Sequence, residues 1–288
     1  MGFVLATAGA AVGLGNIWRF PYLAAEYGGG IFLLTYLLLV FSAGFVLVLT
    51  ESALGRMTGS GVLCAYEKIS RKLSFAGYLT FITPLIIFSF YSVVGGWVMF
   101  YALQFIFGNG SLLADSGYFS AFTAEPVIPA VFTLIFIALT AWIVLRDVRR
   151  GIEKTTRLLM PVLLVMLVVL AAYCICMPGG LDGLWYFFYP DFSKFSAELV
   201  LAALGQMFFT LMIGSGVIMT YGSYLSKSEN LVKSAHSIDF FDTAVAILAG
   251  LLVIPAVFAL SGGSPETLGS GPALMFIALP QVFATFPI

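Results

Sequence analysis

Charge is scarce in this chain. Of its 288 residues only 9% are Asp, Glu, Lys or Arg, against about a quarter in a soluble domain. That excludes a soluble globular protein of ordinary surface. Histidine is almost missing, with His236 the single example. Paired-histidine metal sites and an H-E-x-x-H helix are therefore excluded, and no serine nucleophile motif accompanies a base. The chain does not read as an enzyme. The three cysteines, Cys64, Cys174 and Cys176, lack metal-ligand spacing, and the last two lie in an apolar run where they read as packing. The first apolar stretch has no basic segment before it, so it does not read as a cleavable signal. A net charge of −1 carries no sign of a nucleic-acid partner, and none is expected.

What is abundant is apolar sequence: 61% of residues are hydrophobic and mean hydropathy is +1.05. Seven long apolar runs occur, at about 2–26, 30–55, 77–107, 127–145, 157–178, 198–225 and 241–262, judged against a spanning length of roughly 20 residues. Lipid offers backbone groups no hydrogen bonds, so runs of this kind must be helices. The expected fold is an all-α polytopic membrane protein in contact with a lipid bilayer.

The few charges are ordered. Arg56, Lys68, Arg71 and Lys72 follow the second run, Arg146, Arg149, Arg150, Lys154 and Arg157 the fourth, and Lys227 and Lys233 the sixth. These are eleven of the thirteen basic residues, all in alternate loops. The opposite loops hold Asp115, Glu125, Asp182, Asp191 and Glu266, with Lys194 their only base. The positive-inside rule puts the basic loops in the cytoplasm, with the N-terminus inside and 263–288 as an extracellular loop. In a bacterium this membrane would be the cytoplasmic one.

Two runs are irregular. The first is interrupted by Gly9, Gly13 and Gly15, the sixth by Gly214-Ser215-Gly216. Each pair alone fits a small-xxx-small helix contact. Together, five runs apart, they point to broken helices around a midplane site in an inverted-repeat transporter. Freed carbonyls suit a cation, and freed amides at a half-helix N-terminus suit a carboxylate. Arg19 lies six residues past Gly13, about 9 Å along a helix. It either roofs such a site or snorkels to the outer interface. Asp242 either caps the seventh helix or reaches inward as a hard oxygen donor. Glu51 is either solvated at the cytoplasmic end of run two or buried against the broken helices.

The stretch "AGAAVGLGNIWRFPYLAAEYGGG" resembles the first-helix signature of the neurotransmitter:sodium symporter family, in its bacterial amino-acid branch. "GQMFFTLMIGSGVIMTYGSY" is similar to that family's sixth helix and "AILAGLLVIPAVFA" to its seventh. The resemblance runs from residue 2 to the end of the chain. It implies a single transmembrane domain over 1–288 with two inverted repeats of five helices. The first repeat is 1–178, and 198–262 supplies the first two helices of the second. The implied activity is sodium-coupled symport of an amino acid by alternating access.

The resemblance also assigns residues. One sodium site would use the Ala11 carbonyl, Asn16, Thr210 and Asp242, and a second the carbonyls of Gly9 and Val12 with ligands from an eighth helix. The amino acid would lie against Ala11, Gly13, Gly15 and Thr210, with Tyr91 on its carboxylate and Phe209 as a lid. Ile87, Tyr91, Phe209, Met212 and Ser215 would line an apolar side-chain pocket with a small polar corner, suited to a hydrophobic or aromatic substrate. Arg19 and Gln206 would belong to an outer gate and Tyr224 to an inner one. Monoamine carriers of the family have aspartate where this chain has Gly13, so the substrate here is expected to bring its own carboxylate. Asp242 would supply the negative charge that other members take from chloride, beside Tyr36 and Gln206; chloride is not expected as a cofactor. Family members have eleven or twelve helices, and the chain ends in the outer loop before the eighth. The expectation is a truncated carrier without half of the second sodium site or the acidic partner of Arg19. The alternative reading is a fragment of such a carrier that does not transport.

Overall fold

A computed structural model describes residues 12–145, 153–226, 228–261 and 273–285. Among these the chain is helical, and five stretches are long and apolar enough to cross a membrane: Gly30–Thr58, Arg71–Ile106, Val127–Val144, Lys154–Cys176 and Leu231–Leu260. The sixth run, broken at its glycines, is not among them, and the first lies partly outside the described residues. Lipid exposure divides the five. None of the apolar window in Val127–Val144 is buried, against 67% of that in Leu231–Leu260. The latter is therefore the central helix and the former peripheral.

The elements that position the site are few. After a bend at Val12 and Gly13, a π-wound turn, Gly15–Arg19, runs into helix α1 (Phe20–Glu26). Helices α2 (Gly30–Leu39) and α3 (Phe45–Thr58) form one span, joined by a second π-wound turn at Val40–Gly44. Helix α4 (Val62–Ile69) lies in the basic loop that follows. Then come α5 (Ser74–Ile106), α6 (Val127–Val144), α7 (Glu153–Cys176) and α8 (Gly180–Phe188). The sixth run is two helices, α9 (Ala197–Thr210) and α10 (Val217–Ser223). The central helix is α11 (Leu231–Ser261). A last helix, α12 (Ala273–Thr285), occupies the stretch read from sequence as an outer loop.

Two boundaries differ from the sequence reading. Helix α11 begins at Leu231, ten residues before the apolar run, because Lys233, Ser234, His236, Ser237 and Asp239 lower its hydropathy without breaking the helix. His236, read as a loop residue, lies on this helix with its ring stacked on Phe45 at 4.0 Å between centroids. Asp242 is thus well inside a helix, and the capping reading is excluded.

The break in run six has a backbone cause. Met212, Gly214 and Gly216 adopt φ of 53°, 76° and 72°. Left-handed backbone is open to glycine but costly for methionine. Glu51 supports the turn, its Oε1 accepting the Gly214 N–H at 2.7 Å. This settles the two readings of Glu51 in favour of contact with the broken helix.

Around these elements lies an aromatic core. Phe20 packs on Tyr36 at 5.0 Å and on Phe187 edge-on at 6.3 Å, a geometry that ring quadrupoles favour. The crossing of α3 and α10 is closer still, backbone on backbone. A Cβ on Gly55 would lie 1.9 Å from the Met219 carbonyl oxygen, and one on Gly222 would lie 2.6 Å from that of Ser52. Small residues permit this approach where no hydrophobic force draws helices together.

Gly55→Val should therefore force α3 and α10 apart and cost about 1–3 kcal/mol as overpacking does. A lowered melting temperature in detergent, followed by size-exclusion chromatography, is the expected result. An unchanged one would show that the crossing is looser than described.

Candidate functional site

The site is organised by one buried carboxylate. Asp242 is fully enclosed at the middle of the bundle. Its Oδ1 accepts from Asn16 Nδ2 at 2.8 Å and from Thr210 Oγ1 at 2.9 Å. Its Oδ2 lies 3.0 Å from the same threonine hydroxyl and accepts from the Tyr36 hydroxyl at 3.5 Å. Asn16 Nδ2 also donates to the Asp242 main-chain carbonyl at 3.1 Å. Three segments thus meet on one acid: the start of run one, α2 and the end of α9. None could be placed here by local sequence, since the partners are 32 to 226 residues away.

The opening of run one is shaped for the same purpose. Asn16 Oδ1 accepts the Gly13 N–H at 3.0 Å, which closes the bend before the π-wound turn. Gln206 Nε2 donates to the Gly15 carbonyl at 3.0 Å, tying α9 to the turn. Its Oε1 is buried without a partner. A Cβ on Gly15 would fall 2.8 Å from the Phe209 ring, whereas one on Gly13 meets only Tyr91, at 3.9 Å. The space in front of Gly13 is open and faces the Tyr91 hydroxyl.

Beside this cluster is a cavity of about 370 Å³. Arg19, Ile87, Tyr91, Phe209, Met212 and Ser215 all line it. Sequence reasoning did not name Thr83, Pro84, Phe208, Ile213 and Val217, which together with Gly205 complete the wall. Helical spacing from Ile87 and Tyr91 points to Thr83 and Pro84. The other three flank named residues in the broken run, but no local rule says which side of an irregular turn faces inward. Arg19 sits at the cavity with its guanidinium carbon 4.8 Å from the Phe209 ring centre, and it donates to the Gly205 carbonyl at 3.4 Å. Both contacts face the cavity wall, as a roofing residue requires.

The remaining candidates fall elsewhere. Val12 is half-buried against the packing of α7 and α11. Tyr224 is exposed at the end of α10. Gly9 and Ala11 lie outside the described residues. Asp239, also missed, is buried one turn before Asp242. The sequence reading left it in a loop because α11 was started too late.

The donor set states what the acid can hold. No group of three or more His, Cys, Asp or Glu occurs among the described residues, so a zinc- or calcium-type cage is not built there. Asp242, Asn16 and Thr210 offer a carboxylate, an amide and a hydroxyl, all hard oxygens. The donors to Asp242 are an amide and two hydroxyls, which leave its negative charge uncompensated. A buried charge of this kind calls for a cation, and a monovalent one matches it.

Comparison with known proteins agrees with this geometry. A profile of the sodium:neurotransmitter symporter family matches residues 1–109 and 127–288. The sodium-dependent transporter YhdH of Bacillus subtilis is 37% identical over the whole chain. The human sodium- and chloride-dependent GABA transporter 2 is 28% identical, also over the whole chain. The crystal structure of MhsT in complex with L-phenylalanine superposes on 99% of the chain with a TM-score of 0.90 and 41% identity. The chain spans 64% of the length of YhdH, 55% of the GABA transporter and 65% of the MhsT chain. These relatives are transporters rather than enzymes. An all-α bundle with a glycine-broken sixth run, an acid-centred oxygen cluster and a profile match over most of the residues lead to one assignment: the chain belongs to the sodium:neurotransmitter symporter family.

Proposed function

We propose that this protein couples sodium to the symport of an amino acid with a hydrophobic or aromatic side chain, across the cytoplasmic membrane and by alternating access. The observation that carries the reading is the Asp242 cluster beside an apolar cavity. Sodium is cargo here. Asp242, Asn16 and Thr210 would hold it, together with the Ala11 carbonyl that the family resemblance assigns. The bound ion neutralises Asp242 and presents positive charge toward the open space before Gly13. A substrate carboxylate fits that space, between the ion and the Tyr91 hydroxyl. The side chain then enters the cavity among Ile87, Phe209, Met212 and Ser215. MhsT, solved with L-phenylalanine, supports an aromatic-sized occupant.

The work of the cycle is electrostatic. One charge moving inward through about 100 mV releases roughly 2.3 kcal/mol, to which the sodium concentration gradient adds. Coupling requires that ion and substrate together favour the closed state more than either does alone. Arg19 and Phe209 stand where closure on the outer side would occur. The basic loops support a cytoplasmic N-terminus. Because Asp242 already supplies a fixed negative charge next to the ion, chloride has no role in this reading, unlike in the GABA transporter relative, whose name states chloride dependence.

Four measurements test the proposal. Asp242→Ala should weaken sodium-dependent binding of a radiolabelled aromatic amino acid at least about tenfold, or about 1.4 kcal/mol, with expression preserved. Equal binding would remove the acid from the ion site. Gly13→Asp should abolish amino-acid binding, since its carboxylate would take the place of the substrate's beside Tyr91. Retained affinity for zwitterions would refute that placement. Replacing chloride by gluconate should leave sodium-dependent binding within about twofold, a free-energy change of under 0.5 kcal/mol. Sodium-dependent uptake into vesicles separates symport from binding without transport.

A further inference from the structure

Asp239 is the least explained charge in the molecule. It is fully buried, and neither carboxylate oxygen has a hydrogen-bond partner. Thr243, four residues along α11, is 3% exposed, and its hydroxyl is also without a partner. A spacing of four puts both side chains on one face of the helix, a turn apart. Three enclosed oxygens therefore share a face with nothing to satisfy them. The groups that bear on Asp239 electrostatically are Asp242 on its own helix and the Tyr36 phenol on α2, which is directed at Asp242. One turn before it, His236 is engaged with the Phe45 ring. Among the described residues no basic side chain hydrogen-bonds to Asp239.

An enclosed carboxylate without donors is costly, and an unpaired ionisable group inside a span marks a pathway. The donors available are one carboxylate and one hydroxyl, with no nitrogen or sulfur. Such a set is hard and carries a single negative charge, which suits an alkali cation.

We propose that Asp239 and Thr243 form an additional sodium-binding station on α11, distinct from the Asp242 cluster and from the Gly9 and Val12 carbonyls. It rests on the reading of Asp242 as a sodium ligand. The station lies about 4.5 Å nearer the start of α11 by helical rise. The start of α11 carries Lys233, in the basic region assigned to the cytoplasmic side. A sodium ion leaving Asp242 inward meets Asp239 first. The station gives the ion a compensated position at a depth where bare hydrocarbon would hold it back.

The test is equilibrium binding of radioactive sodium to the purified full chain, with and without an aromatic amino acid. Asp239→Asn should bind one fewer sodium ion per chain than the unsubstituted protein, and Thr243→Val should weaken that same component several-fold. The amino-acid-stimulated component should persist in both, which also reports that they fold. An undiminished sodium count in Asp239→Asn overturns the station. So does an unchanged count accompanied by one fewer proton released on alkalinisation, which would make Asp239 a proton holder. Asp242→Ala is read separately: if the stimulated component survives there, the Asp242 reading fails, whatever Asp239 does.

Discussion

The structure depends on a negative charge kept inside a membrane bundle. Among the described residues Asp242 has no basic partner within hydrogen-bonding reach, and it is held by an amide and two hydroxyls from three segments remote in sequence. Neutral dipoles orient a carboxylate without cancelling it. The centre of the bundle thus holds an acid with only neutral donors, and segments with few other polar groups converge on it. The same contacts tie the π-wound turn of run one to the end of α9 and to α2.

The broken run follows from this constraint. Thr210 must face Asp242 at the last turn of α9, while Met212 and Ser215 must face the cavity. A continuous helix cannot present both sets in that way over so few residues. Left-handed backbone at Met212, Gly214 and Gly216 redirects the chain, and the carboxylate of Glu51 satisfies an amide that the interruption frees. Unwound main chain persists in a membrane only where it is buried in protein or lines a cavity. Here it does both.

Much of this was legible in the sequence. The apolar runs and the glycine interruption of the sixth are composition signals, and among the described residues they survive as helices and a turn. Asn16, Thr210, Tyr36 and Asp242 could be brought together only through family resemblance, because no spacing rule links residues so far apart. Boundaries were harder. Hydropathy started α11 at 241 because five of its first ten residues are polar, although helix formation does not require apolar side chains. That error hid Asp239 and made Asp242 look like a possible cap. The walls contributed by Thr83, Pro84 and Phe208 were missed for another reason. A cavity is made by how helices are rotated against each other, and rotation on an all-apolar helix leaves no pattern to read.

The close crossing of α3 and α10 has a mechanical consequence. With Gly55 and Gly222 pressed on opposing backbone, these two segments cannot slide or tilt separately without collision. Each is joined to its upper half through an irregular stretch, the π-wound turn at Val40–Gly44 and the turns at 211–216. The two stretches meet, since a Cβ on Gly44 would come within 2.9 Å of Leu211. The lower halves therefore travel as one lever, and its fulcrum is the level at which both helices lose their regular winding.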